Sequence, residues 1–418
     1  MNRIHSTRGA GRPTALLAAL LAALAAAPAA HASLQSRLES SMRAAGSFSG
    51  AYVENVTAGR TVFRHRHTSP RILASNTKLY TTAAALARFG TEGTLNTGVR
   101  GDGGLADGGT YRGNLYLVGG GDPTFGSRSF SRRAYRGGGT VDALAAQLDR
   151  AGIERVTGRV YGDASRHDAR RGGPDSNFGT SIYVGPLSGL SYNRGLATES
   201  GRGYQSSPPT FAAARLDDAM ERRGMVIRRS PLAKRRPSQT ELLAAVRSPS
   251  MARLAQLTNK PSDNFFAELL VKDLAMQANG LGTTRGGTRI AAGFARRLGA
   301  APASLADGSG LSRANRASPV RVARFLIALR DRDEFPDFNA SLSIAGRDGT
   351  LGTRMRSGPA RGRCRGKTGT LSNVSAVSGY CRAISGETYV FSILMNGVNP
   401  YGARSLQDRM LQDIAGQR

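Results

Sequence analysis

The chain has 418 residues, 40% of them hydrophobic, and a formal net charge of +29. That length and apolar content exclude a disordered chain and call for two domains, or one domain with a large insertion. The basic charge attracts polyanions, but it is spread along the chain without a nucleic-acid-binding motif. Nucleic acid is therefore not an expected partner, and salt-reversible attachment to anionic wall polymers is.

Residues 1–32 read as a signal peptide. Arg3, Arg8 and Arg12 form a positive start, 15–27 an Ala/Leu run too short to span a bilayer, and Ala30-His31-Ala32 a cleavage site. An N-terminal anchor helix is the alternative. No later apolar run reaches membrane length, so the mature chain is expected to be exported, with no transmembrane segment, into the cell wall or a periplasm-like space.

Residues 51–53 and 61–63 predict two strands joined by a turn at Thr57-Ala58-Gly59. A helix follows over 75–89, stopped by Gly90. From 94 to 245 the texture changes: Gly and Arg are dense, and short strands (114–118, 156–161) alternate with helices (141–151, 211–223). This stretch reads as an inserted α+β region. The flanking segments, 33–93 and 246–418, read as one discontinuous domain. In the second, Phe265, Phe266, Leu269, Leu270 and Leu274 make a helical stripe, and Ser318-Pro319 opens another helix. Strands at 362–370, 374–382 and 388–395 precede an amphipathic helix at 403–417. The expected fold is α+β: an antiparallel sheet completed from both ends of the chain, flanked by helices, beside a helical subdomain.

Three short motifs lie on these elements. Ser75-Asn76-Thr77-Lys78 places a hydroxyl and an amine at i, i+3, close enough to meet on one face. Ser75 is the candidate nucleophile and Lys78 its base, activated if burial and the second cation, Lys367, lower its pKa. Ser262-Asp263-Asn264 opens the apolar helix. Here Ser262 relays a proton to a leaving amine and Asn264 holds a substrate amide; a simple helix cap is the competing explanation. Ser191-Tyr192-Asn193 is a rival Ser-x-Asn, but it falls within the inserted region. Lys367-Thr368-Gly369 ends a strand. Lys367 supplies positive potential, Thr368 hydrogen-bonds a substrate carboxylate, and Gly369 permits close approach. The backbone N–H groups of Ser75 and Thr370 form the expected oxyanion hole.

Composition supports the assignment of the lysines. Only five lysines (Lys78, Lys234, Lys260, Lys272 and Lys367) accompany an arginine-rich background, and two of them occupy motif positions. A buried lysine can lose its proton, whereas an arginine cannot. The two cysteines, Cys364 and Cys381, fall opposite each other in a hairpin centred between Ser372 and Asn373, and export favours a disulfide. Two buried thiols are the alternative. His65, His67 and His167 do not make a metal set, and neither metal nor cofactor is expected.

With these motifs in this order, the chain resembles the penicillin-binding D-Ala-D-Ala carboxypeptidase/endopeptidases that carry an insertion between the first two motifs. Leu117–Thr124, the run Asp307-Gly308-Ser309-Gly310-Leu311-Ser312-Arg313, and Gly349-Thr350-Leu351 agree. The resemblance implies a transpeptidase/β-lactamase-like fold. It also implies acylation of Ser75 by the penultimate D-Ala of peptidoglycan stem peptides, loss of the terminal D-Ala, and inhibition by β-lactams. The Ser75–Ser262 gap is shorter than in the family, which predicts a trimmed insertion. Two alternatives remain: an inactive wall-binding relative, and a β-lactamase. Against the latter, there is no Glu between Glu268 and Glu334 to activate a deacylating water.

Overall fold

The structure is a computed structural model describing residues 33–418, together with Gly9. The predicted signal peptide otherwise lies outside the described residues. The architecture is α+β.

One six-stranded sheet runs in the order Ser343–Ile344, Cys364–Leu371, Val374–Arg382, Thr388–Asn396, Gly50–Asn55, Arg60–His65, antiparallel throughout. The N-terminal hairpin thus pairs with the last strand, Val53 opposite Phe391. Val374–Arg382 and Thr388–Asn396 are buried along almost their whole length because helices cover both faces. Alternation of side chains sorts the faces. Val377, Phe391 and Ile393 pack with Leu38 and Met42 of Leu34–Ala44 and with Met410, Leu411 and Ile414 of Pro400–Ala415. Ala376, Tyr380 and Leu394 pack on the other side with Val322, Phe325 and Leu326 of Pro319–Leu329. The disulfide Cys364–Cys381 joins directly paired residues of the sheet.

The Thr77–Phe89 helix runs through the centre of the helical half, buried at ten of its thirteen positions. It packs against Met251–Asn259, Asn264–Asn279 and Thr284–Arg297. Its α-helical part starts later than the expected residue 75, because Ala74–Asn76 forms a 3₁₀ turn. Gly90, at φ +78°, ends it as expected.

A second sheet draws its strands from Asn96 to Arg247. Its order is Glu241–Arg247, Asn96–Gly101, Leu115–Val118, Arg155–Asp163, Thr110–Arg112, Gly104–Ala106, with Val226–Ala233 also on Arg155–Asp163. The helices Val141–Arg150 and Pro208–Glu221 cover it through Leu144, Leu148, Ala212 and Leu216. Its entering and leaving strands are neighbours, and Leu95 and Ser248 exchange hydrogen bonds where the chain passes in and out. Several of its strands escaped sequence reading. Val226–Ala233 carries Arg228, Arg229 and Pro231 on a mostly exposed edge, the composition that protects an edge rather than one that advertises a strand.

Candidate active site

Three elements deliver the three motifs to one place. The 3₁₀ turn Ala74–Asn76 presents Ser75, and in such a turn residues i and i+3 eclipse, which stacks Lys78 on it. Asp263 caps the Asn264–Asn279 helix by accepting from Phe266 N. The capping explanation therefore applies to Asp263, while Ser262 and Asn264 are left for the cleft. The Cys364–Leu371 strand carries Lys367, Thr368, Gly369 and Thr370. Gly369 is where strand and turn touch: a Cβ there would sit 2.9 Å from Leu73 O and from Ser75 N. Asn76 Nδ2 secures the approach by donating to Lys367 O at 2.9 Å.

The side chains interlock. Lys78 Nζ donates to Ser75 Oγ at 3.0 Å, Asn264 Oδ1 at 2.7 Å and Ser309 O at 2.6 Å. Lys367 Nζ donates to Ser262 Oγ at 2.8 Å and to Thr368 O at 2.9 Å. Thr368 Oγ1 donates to Thr350 Oγ1 at 2.7 Å, and Arg404 reaches Thr370 Oγ1 at 3.2 Å. Ser75, Ser262, Asn264, Thr368 and Thr370 line one cavity of about 740 Å³. Two residues of this site, Ala74 (φ +45°) and Ser262 (φ +63°), hold a left-handed backbone. Each such conformation costs on the order of 1 kcal/mol and persists only where its surroundings enforce it.

Both lysines are fully buried, and burial depresses both pKa values. Lys78 falls to about 8, with Asp307, Asp263 and Glu268 opposing the fall. Lys367 is pushed well below the ordinary lysine range, first by burial and then by the charge of Lys78. Burial, rather than the second cation, is therefore the leading cause at Lys78.

The rival Ser191-Tyr192-Asn193 stays away from the cavity. Ser191 Oγ bonds Ser188 O, and Asn193 Oδ1 accepts from Ser127 N. His65 pairs with Glu39, His67 stacks on Tyr52, and His167 is buried against Asp273.

A family model described as the D-Ala-D-Ala carboxypeptidase 3 (S13) family matches residues 30–203 and 204–415. The chain belongs to that family. It is a serine-type D-Ala-D-Ala carboxypeptidase, a hydrolase. The D-alanyl-D-alanine carboxypeptidase of an Actinomadura species is 26% identical over 451 residues, covering 88% of this carboxypeptidase and 81% of the relative. Penicillin-binding protein 4 (dacB) from Haemophilus influenzae shares the fold, with a TM-score of 0.77 at 19% identity over 90% of this chain and 98% of that one. A predatory endopeptidase from Bdellovibrio bacteriovorus, acylated by penicillin G and in complex with an immunity protein, matches with a TM-score of 0.53. Its identity is 18%, over 88% of this chain and 92% of that one.

Other residues of this carboxypeptidase escaped the sequence reading. Arg194, from the inserted stretch, forks onto Asp263 at 2.5 and 3.2 Å and lies over the ring of Phe265. Tyr183 O accepts from Asn264 Nδ2 at 3.1 Å, and Asp175 and Tyr183 reach the cavity wall. Nothing in their local sequence marks them. Glu268 had a signal: it lies four residues, about one helical turn, beyond Asn264. Its carboxylate accepts from Gly308 N at 3.1 Å and Ser309 N at 2.8 Å. No helix among the described residues is long and apolar enough to cross a membrane.

Proposed function

We propose that this carboxypeptidase is exported and removes the terminal D-Ala of peptidoglycan stem peptides through an acyl-enzyme on Ser75. The neutral amine of Lys78 takes the Ser75 proton as Oγ attacks the penultimate D-Ala carbonyl. The backbone N–H groups of Ser75 and Thr370 hold the oxyanion, at a helix start that favours negative charge. Lys78 returns the proton through Ser262 Oγ to the leaving amine, and D-Ala departs. Lys367 keeps Ser262 in place and, with Thr368, receives the substrate carboxylate. Water then attacks the ester, its proton passing back by the same groups, and frees Ser75.

The observation that carries this reading is the bonding of Lys78 Nζ to Ser75 Oγ and Asn264 Oδ1 at once. Export is supported by the predicted leader and by the Cys364–Cys381 disulfide. Penicillin, whose strained amide presents the same kind of carbonyl, acylates Ser75 in this reading. Cleavage of cross-links uses the same acyl group with a larger leaving amine, and the shared fold of the Bdellovibrio endopeptidase favours this second activity.

Labelling with a fluorescent penicillin provides the test. Wild type is tagged and Ser75→Ala is not; equal tagging of both would place the nucleophile elsewhere. Mass analysis of digested muropeptides separates loss of D-Ala from opening of cross-links.

A further inference from the structure

A lysine used as a base must aim its lone pair as well as lose a proton. Lys78 Nζ has three oxygen partners. Two of them, Asn264 Oδ1 and Ser309 O, can only accept, and the Asn264 amide is oriented by its bond from Nδ2 to Tyr183 O. Once the amine is neutral, its two remaining protons stay on these acceptors. The lone pair then faces Ser75 Oγ, the one partner with a proton to give.

The direction of the Ser309 carbonyl therefore matters: Asp307 holds that carbonyl's peptide plane through Gly310 N, and a group outside the loop fixes the two planes before it. Glu268 Oε1 accepts from the backbone N–H groups of Gly308 and Ser309, while Asp307 closes the rest of the loop through Gly310 N, Ser312 N and Asn315 Nδ2. Glu268 is almost wholly buried, and its Oε2 has no hydrogen-bond partner. One helix, Asn264–Asn279, thus supplies both fixed acceptors of Lys78: Asn264 directly, and Ser309 O by way of Glu268.

We propose that Glu268 is a positioning residue for acylation, clamping the 308–309 backbone so that the Ser309 carbonyl holds the lone pair of Lys78 on Ser75. This rests on the Ser75–Lys78 reading above. The charges that face Glu268 are Asp307 in the loop, Lys78 on the central helix and Lys272 one turn along its own helix. From the inserted stretch, Gly173 is the neighbour, with the Asp175 carboxylate beside it.

Glu268→Ala, Glu268→Gln, Glu268→Asp and Ser75→Ala are compared with wild type by the rate of fluorescent-penicillin acylation across pH 6 to 10, with a thermal melt for each. Glu268→Ala releases the loop and slows acylation on the order of 100-fold, the scale of a misplacement near 1 Å. Glu268→Gln keeps an acceptor oxygen and recovers most of that loss. Burial pushes the Glu268 carboxyl up to about 8, so below that pH it is largely uncharged and Glu268→Gln leaves the foot of the rising limb near its wild-type position. A purely structural role would show in the melts and not as a split between the acylation rates of the Ala and Gln variants. Folded Glu268→Ala with the wild-type rate overturns the proposal. If Glu268→Ala does not fold, Glu268→Asp decides instead: its shorter side chain withdraws the acceptor from the 308–309 N–H groups, and a wild-type acylation rate overturns the proposal. Tagging of Ser75→Ala would instead overturn the underlying assignment of the nucleophile.

Discussion

In the proposed mechanism Lys78 acts as a base only when it is neutral, and its burial makes that state reachable. Burial lowers its pKa to about 8, so acylation should rise as pH climbs through that value. Lys78→Arg keeps a cation of similar reach that cannot shed its proton. Its acylation rate should fall about 10²–10⁴-fold, the usual worth of a general base. Stopped-flow labelling at pH 8, with a melt to confirm folding, measures this; an arginine variant at the wild-type rate would remove Lys78 from the role of base. At this scale the sequence was legible where chemistry demands particular residue types at fixed spacing. Ser75, Lys78, Ser262, Asn264 and Lys367 all stand out that way. Arg194 did not, because its partner is a carboxylate far away in sequence; Glu268 offered only its place one turn beyond Asn264, and no local pattern records its bonds to the distant 308–309 backbone.

At the scale of elements, the site depends on three close approaches to the 3₁₀ turn. The Cys364–Leu371 strand comes in at Gly369, the Asp307–Ser312 loop at Gly310, and Asn76 bonds back to the strand. Gly310 has φ +90°, and a Cβ on it would lie 1.9 Å from Ala74 O. Gly310→Ala should therefore destabilise the fold by about 1–3 kcal/mol through overpacking, with roughly 1 kcal/mol more for the backbone conformation. It should also slow acylation, since the displaced residue precedes Ser75. Urea unfolding and penicillin labelling read the two effects, and unchanged labelling would mean that this contact does not set the position of Ser75. Strands buried on both faces were readable where their apolar runs are long, as at Thr388–Asn396. Ser343–Ile344 and Val226–Ala233 were not: the first is two residues long, and the second is a charged edge.

At the scale of the molecule, the inserted stretch meets the Asn264–Asn279 helix across buried ionisable groups. His167 and Lys272 bond Asp273 and Asp168 across the joint, at 2.7 and 2.6 Å, and Asp122 lies close to Asp273. Asp122 is fully buried; burial lifts its pKa from 3.8 to about 7, against the opposing hydrogen bonds from Thr124. A carboxyl raised in the folded state leaves stability intact below pH 3.8, and that stability is lost as pH rises through about 7. The linkage is on the order of 4 kcal/mol. Asp122→Asn stays uncharged and should flatten part of this slope. Denaturant midpoints at pH 5 and pH 8 compare the two proteins, and an identical pH dependence in the variant would rule Asp122 out as its source.

Sequence alone determined the chemistry, the α+β class and the discontinuous sheet, because motif spacing, hydrophobic period and turn residues are local properties of the chain. Tertiary structure decided which groups surround the reacting atoms. The depressed amines at Lys78 and Lys367, the clamp of Glu268 on the 308–309 backbone and the fork of Arg194 on Asp263 arise from burial and from contacts between distant segments. Those quantities take a value only once the chain has closed on itself.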